Sequence, residues 1–186
     1  FDFAAMAARI RADLPDLVHV FTVRGSGDDD YAALLAEGGG RPFARPRVDP
    51  LGVKRVLYAS GTTGRPKGVL QSHVTLARIL RTSGEHWGLR PGDATLMPSP
   101  VTHVSGYANG LEAPLVCGTR TVLMESWNAC EALALIERHG VVGTVAATPF
   151  LVELADAARA AGNPLPGFRF FACGGAAVPA DLIPAA

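Results

Sequence analysis

Neither sign of charge is in excess: 17 Lys and Arg face 17 Asp and Glu, for a formal net charge of +0. Without a basic surplus the composition does not point to nucleic acid or an anionic membrane, so phosphate binding would have to come from local geometry. Cysteine is scarce. Cys117, Cys130 and Cys173 form no Cys-x-x-Cys pair and no ligand-like Cys/His spacing, which argues against a zinc or dithiol site and predicts three reduced, mostly buried thiols in a cytoplasmic protein. No apolar run is long enough to cross a bilayer. Phe1-Asp2-Phe3 opens an amphipathic segment rather than a basic signal-peptide start, and a Gly-x-Ser-x-Gly elbow is absent. What remains is an apolar chain, 48% hydrophobic and 18% charged over 186 residues, able to bury a substantial core.

The most informative stretch is Tyr58-Ala-Ser-Gly-Thr-Thr-Gly-Arg-Pro-Lys-Gly-Val69, preceded by an apolar run, Val53 to Ala59, that carries Lys54 and Arg55. Glycines let a backbone turn its N–H groups toward an anion without interference from Cβ. Ser60, Thr62 and Thr63 add hydroxyl donors beside Gly61 and Gly64, and Lys67 adds a cation on a long stem. The combination predicts a phosphate-holding loop. Its spacing is not that of the Walker loop, because only two residues separate Gly61 from Gly64 and Lys67 precedes a glycine.

The rest of the chain alternates between strand and helix signals. Asp2 caps a helix carrying Phe3, Met6, Ile10 and Leu14 and stopped by Pro15; Leu17–Val23, with His19 inside it, reads as a buried strand. Asp28-Asp29-Asp30 supplies capping charge to a helix from Tyr31, rather than a metal site. Residues 38–52 form a linker rich in Gly, Pro and Arg. After the phosphate loop, Ser72 caps a helix from His73 to Trp87, and a short strand covers Asp93–Met97. A helix follows from Gly106 up to Pro114, then strand Thr119–Met124, helix Ala129–His139 and strand Val141–Ala147. Thr148 caps a helix opened by Pro149, Phe168–Cys173 is a strand, and the Gly174–Pro179 turn leads into a last helix. The fold class is therefore α/β: βαβ units with a mainly parallel sheet flanked by helices. In such sheets ligands bind outside the carboxyl ends of the strands. Three loops are placed there, Ser60–Lys67, Pro98–Tyr107 and Gly174–Pro179, and they converge only if their strands are neighbours.

The 58–69 string resembles the phosphate loop of the adenylate-forming superfamily, which includes acyl-CoA ligases, luciferases and peptide-synthetase adenylation domains. Two further stretches agree in order. His103-Val-Ser-Gly106, followed by Tyr107, resembles the family's His-x-x-Gly segment lining the acyl pocket. Gly174-Gly175-Ala176-Ala177 resembles its Gly-Gly-Ala-Pro turn beside adenine, with Ala177 where proline is usual, and Thr148-Pro149-Phe150 resembles another pocket wall. The order of motifs over Val53–Leu182 looks most like ligases for medium-chain or cyclohexanecarboxylate-type acids.

The resemblance implies a partial N-terminal AMP-binding domain, with a leading helix-strand-helix over 1–37 and the phosphate-loop and pocket region over 53–186. It implies an acid, ATP, Mg²⁺ and coenzyme A as reactants and cofactor. Ser60, Gly61, Thr62, Thr63, Gly64 and Lys67 would bind phosphate, with Lys67 and His103 in catalytic positions. His103, Tyr107, Gly174, Gly175, Ala176 and Ala177 would shape the acyl and adenine pocket. The family's downstream Tyr-Gly-x-Thr-Glu, ribose aspartate, hinge and C-terminal domain are not in this sequence, so a fragment inactive on its own is expected, consistent with ends that look cut. A peptide-synthetase domain, a luciferase-like enzyme and a non-catalytic nucleotide-binding module stay open. A peptide-synthetase domain would want an acidic residue near His103, and Tyr107-Ala108-Asn109 supplies none.

Overall fold

The computed structural model describes residues 2–25, 29–40, 42–59, 64–180 and 182. Ser60, Gly61, Thr62, Thr63 and Asp28 lie outside the described residues, as does nearly all of the helix expected after Pro179. The chain divides into two compact units, Phe1–Arg47 and Val48–Ala186.

In the first unit, α1 (Phe3–Arg11) starts at Asp2, whose carboxylate accepts the Ala5 amide at 2.9 Å. α2 (Tyr31–Gly38) starts at Asp30, which accepts from the Ala32 amide. Capping carboxylates satisfy amides that have no partner inside the helix. The buried strand expected over Leu17–Val23 does not form. Only an isolated bridge links Thr22 with Asp30, and Val18 and Val23 are exposed. A β-branched run becomes a strand when a neighbour pairs with its backbone, and among the described residues no further strand lies beside it. His19 instead stacks on Phe21.

In the second unit, β1 (Val53–Ala59) and β2 (Lys67–Ser72) pair as an antiparallel hairpin, with Ala59 opposite Lys67 and Val56 opposite Leu70. This corrects two expectations. The segment expected to hold phosphate lies between two antiparallel strands rather than after a strand of the parallel sheet, and Lys67 is a strand residue rather than part of the loop. Val69 and Leu70 were too short an apolar run to identify as a strand. They become one because β1 offers a complete edge. Ser72 then caps α3 (His73–His86), its hydroxyl accepting the Thr75 amide at 3.2 Å.

The remaining strands form a four-stranded parallel sheet in the order β4-β3-β5-β6. They are β3 (Ala94–Met97), β4 (Arg120–Leu123), β5 (Val141–Ala146) and β6 (Phe170–Cys173). Between β3 and β4 lie a π-helix, Gly106–Glu112, and α4 (Ala113–Cys117). Pro114 does not end the helix as expected. It occupies the first turn of α4, directly after the π-helix, and Gly118 at φ +69° closes the helix in the left-handed region. α5 (Ala129–His139) is capped by Asn128 and closed by Gly140, and α6 (Thr148–Ala160) precedes β6.

Side chains alternate across the sheet. Ala94 and Leu96 point into a core with Ala132, Leu133 and Ile136 of α5 and Leu154 of α6. Met97 lies on the other face under Gly110, where an added Cβ would sit 2.9 Å from Met97 Cγ. Thr144, 1% exposed, donates its hydroxyl to the Leu96 carbonyl at 2.7 Å, so the sheet centre holds no unpaired hydroxyl there. The thiols are less buried than expected: Cys130 is exposed, and Cys117 and Cys173 are half-buried. Cys130 follows the first residue of α5 on its solvent side, a placement that sequence spacing alone does not fix. No helix among the described residues is long and apolar enough to cross a membrane.

Candidate active site

Residues at the carboxyl ends of β3, β5 and β6 enclose a cavity of about 410 Å³, lined by Ser99, His103, Ser105, Val145, Ala146, Ala147, Gly174 and Gly175. Because β3, β5 and β6 are adjacent and parallel, their exits converge. His103 and the Gly174-Gly175 turn, 71 residues apart in the chain, therefore share one wall system.

Each part is held by local chemistry. His103 Nδ1 accepts the Ser105 amide at 3.2 Å, and the His103 carbonyl accepts the Tyr107 amide at 2.9 Å. In the neutral ring this leaves the proton on Nε2, which becomes the available donor. Gly106 is required by close approach: a Cβ there would stand 2.1 Å from the Pro100 carbonyl oxygen. The His-x-x-Gly spacing thus brings the start of the π-helix against the β3 exit, and π-helical turns recur at functional sites.

On the opposite wall, the Gly174 amide donates to the Ala146 carbonyl at 3.3 Å, and Gly175 takes φ +79°. Thr148 does not cap α6 as expected; the N-cap is Ala147, without a side-chain bond. The Thr148 hydroxyl, in a buried residue, instead points to the Ala176 carbonyl at 3.5 Å, tying the start of α6 to the turn. Burial pushes the neighbouring Cys173 thiol up, against the opposing effect of its hydrogen bond with Thr148. Cys173 is thus a neutral thiol at physiological pH and a poor nucleophile.

The other expected residues fall differently. Gly64 adopts φ +80°, a conformation that favours glycine, and Lys67 is exposed at the start of β2. Lys67, Tyr107, Ala176 and Ala177 do not line the cavity. Tyr107 lies under Arg55, whose guanidinium carbon is 5.3 Å from the ring centroid. Among the described residues no group of three or more His, Cys, Asp or Glu gathers to hold a metal ion.

Sequence reasoning missed Ser99, Ser105 and the Val145–Ala147 floor, which carry no distinctive chemistry. It also missed Glu112, which is buried and meets Lys54 and Arg55. A signal was available: two cations in the apolar run Val53–Ala59 and one acid in the apolar run Gly106–Cys117 each call for a partner. Two open grooves beside α6, of about 460 and 800 Å³, are lined largely by Leu, Ala and Pro. Their charged residues Arg159 and Glu137 are already engaged by Asp156 and Asn163, so they offer no convergent reactive group.

The chain is 35% identical over 124 residues to the medium-chain fatty-acid–CoA ligase of Escherichia coli K12, covering 67% of this chain and 22% of that protein. It therefore spans about a fifth of that relative's length. The o-succinylbenzoate–CoA synthetase of Bacillus subtilis, solved with its product analogue, superposes with a TM-score of 0.66 at 26% identity, over 74% of this chain and 28% of that one. The N-terminal domain of FACL13 from Mycobacterium tuberculosis shares the fold over 96% of this chain and 45% of that one, with a TM-score of 0.71 at 22% identity. Residues 2–186 match the AMP-binding enzyme family, and the chain belongs to that family.

Proposed function

We propose that this chain is part of the N-terminal domain of an ATP-dependent acid–CoA ligase acting on a medium-chain or alicyclic carboxylic acid. Within it, residues 1–37 form a leading segment, 38–52 a linker and 53–186 the phosphate-loop and pocket region. The observation that carries the reading is the cavity shared by His103, Gly174 and Gly175 at the ends of three adjacent parallel strands. The E. coli relative's name supports the substrate class. The B. subtilis synthetase, solved with AMP and with ATP and magnesium, supports the nucleotide.

In this reading the acid's carboxylate oxygen attacks the α-phosphorus of ATP, pyrophosphate leaves, and the sulfur of coenzyme A then displaces AMP from the acyl carbon. The substrates supply both nucleophiles, consistent with the neutral Cys173 thiol. Lys67 and the glycine-rich stretch from Ser60 to Gly64 neutralise the leaving pyrophosphate. Mg²⁺ would share that charge, and no group in the described residues is assigned to hold it. His103 Nε2–H donates toward the acid or the developing adenylate, and Gly174 and Gly175 wall the adenine side.

The test is a thioesterification screen of the full-length protein with ATP, coenzyme A and acids of graded size. The expected result is acyl-CoA and AMP formation, with the highest kcat/KM for a medium-chain or alicyclic acid. A protein that binds ATP but is inert toward every carboxylate would instead be a nucleotide-binding module. The 186-residue chain alone is expected to give no ATP–pyrophosphate exchange, and robust exchange would overturn that part.

A further inference from the structure

Glu112 closes the π-helix with its side chain 7% exposed. A carboxylate removed from water is costly unless it is paired. Its Oε2 accepts from Arg55 at 3.0 Å, and its Oε1 stands 2.5 Å from Lys54 Nζ as an ion pair outside hydrogen-bond angles. Arg55 has two further partners besides Glu112. Its Nε donates to Gln71 Oε1 at 2.6 Å, across the register that pairs Arg55 with Gln71 on β2. Its guanidinium carbon lies over the Tyr107 ring, 5.3 Å from the centroid, and the Tyr107 amide is bonded to the carbonyl of His103, a cavity residue.

One guanidinium thus joins three things: the hairpin whose strands flank residues 60–66, the π-helix, and the His103 turn. The guanidinium's planar, fixed fork of donors holds these partners in one geometry, whereas an ammonium is a point charge on a flexible stem and fixes them less rigidly. We propose that Glu112 and Arg55 are positioning residues that set the hairpin carrying the phosphate loop against the His103 side of the cavity. The proposal rests on the acid–CoA ligase reading and specifies which step depends on the alignment. Attack of the acid on the α-phosphate needs both halves in register, and misplacement by about 1 Å costs on the order of 10²-fold in rate. Thioester formation from a finished adenylate does not need the pyrophosphate half.

The experiment compares full-length wild type, Arg55→Lys, Glu112→Gln and the double variant in two assays. One is ATP–pyrophosphate exchange with the preferred acid. The other is acyl-CoA formation from chemically supplied acyl-adenylate. Arg55→Lys keeps the buried charge pair, so it decides the matter even where Glu112→Gln fails to fold. The expected result is an exchange kcat lowered tenfold or more, KM for ATP and for the acid within threefold of wild type, and thioester formation from the adenylate within twofold. A double variant no worse than the poorer single variant supports a shared role. An unchanged exchange kcat, or equal losses in both assays as general destabilisation would give, overturns the proposal. Wild type without exchange for any acid would overturn the ligase reading instead.

Discussion

The Ser105 amide donates to His103 Nδ1, at 3.2 Å. This bond orients the imidazole and also satisfies an amide at the entry to the π-helix, so one side chain serves both structure and site. The two roles separate by substitution. His103→Asn keeps an oxygen that can accept from Ser105 but loses the reach of Nε2. It is expected to melt like wild type while lowering kcat/KM for the acid, on the order of 10²-fold for a lost transition-state donor. His103→Ala should show the same kinetic loss together with about 1 kcal/mol of lost stability, the usual cost of a missing cap. Exchange kinetics and thermal melting of the full-length variants check both.

The glycines of the site should not behave alike. An added Cβ at Gly174 meets nothing within 4 Å, whereas Gly175 sits at φ +79° and Gly106 is pressed against the Pro100 carbonyl. Gly174→Ala is expected to fold normally. Gly175→Ala should lose about 1–2 kcal/mol through the left-handed backbone. Gly106→Ala should lose about 1–3 kcal/mol or more through overpacking. Thermal melting of the three variants gives the order, and equal stability of Gly106→Ala and Gly174→Ala would contradict the close approach.

Lys67 is exposed and has no described ion pair. Its replacement by Ala should leave stability within about 0.5 kcal/mol, as is usual for surface positions. Adenylate formation should fall markedly if Lys67 neutralises pyrophosphate. Unaltered adenylation kinetics would remove Lys67 from that role.

Thiol chemistry gives a pH test. Burial pushes the Cys117 thiol up, with Arg81 lowering and Glu85 raising it, and burial likewise raises Cys173. Alkylation followed by peptide mapping should modify the exposed Cys130 first. Labelling of Cys117 and Cys173 should keep rising above the ordinary thiol range of about 8.5. The sign for stability follows. A folded-state value above the unfolded one gives stabilisation that is full below the ordinary thiol range and is lost as pH rises through the raised value. Replacing Cys117 by Ala should therefore flatten the alkaline decline of the melting temperature.

Much of the fold was legible because its determinants are local. Asp2, Asp30 and Ser72 each accept an amide at the helix starts they mark, and the predicted bounds of α5 coincide with those observed. Errors arose where a distant partner decided the outcome. Leu17–Val23 has strand composition but only one bridging residue, whereas Lys67–Ser72, read as loop and helix entry, becomes a strand against β1. Thr148 has the chemistry of a cap, yet its hydroxyl goes to Ala176, 28 residues away.

The same division holds at the site. His-x-x-Gly and the Gly174-Gly175 turn were singled out through their resemblance to family motifs, and close backbone approach at Gly106 and a left-handed φ at Gly175 restrict which residues can stand there. Strand order brought the two together: β3 and β6 both flank β5, and their exits open onto one cavity. Order depends on contacts between segments far apart in sequence, and no residue type encodes it alone. Lys54 and Arg55 stood out as charges in an apolar run while Glu112 did not, and only packing made the three partners, because a buried carboxylate is stable only beside the cations that the fold delivers to it.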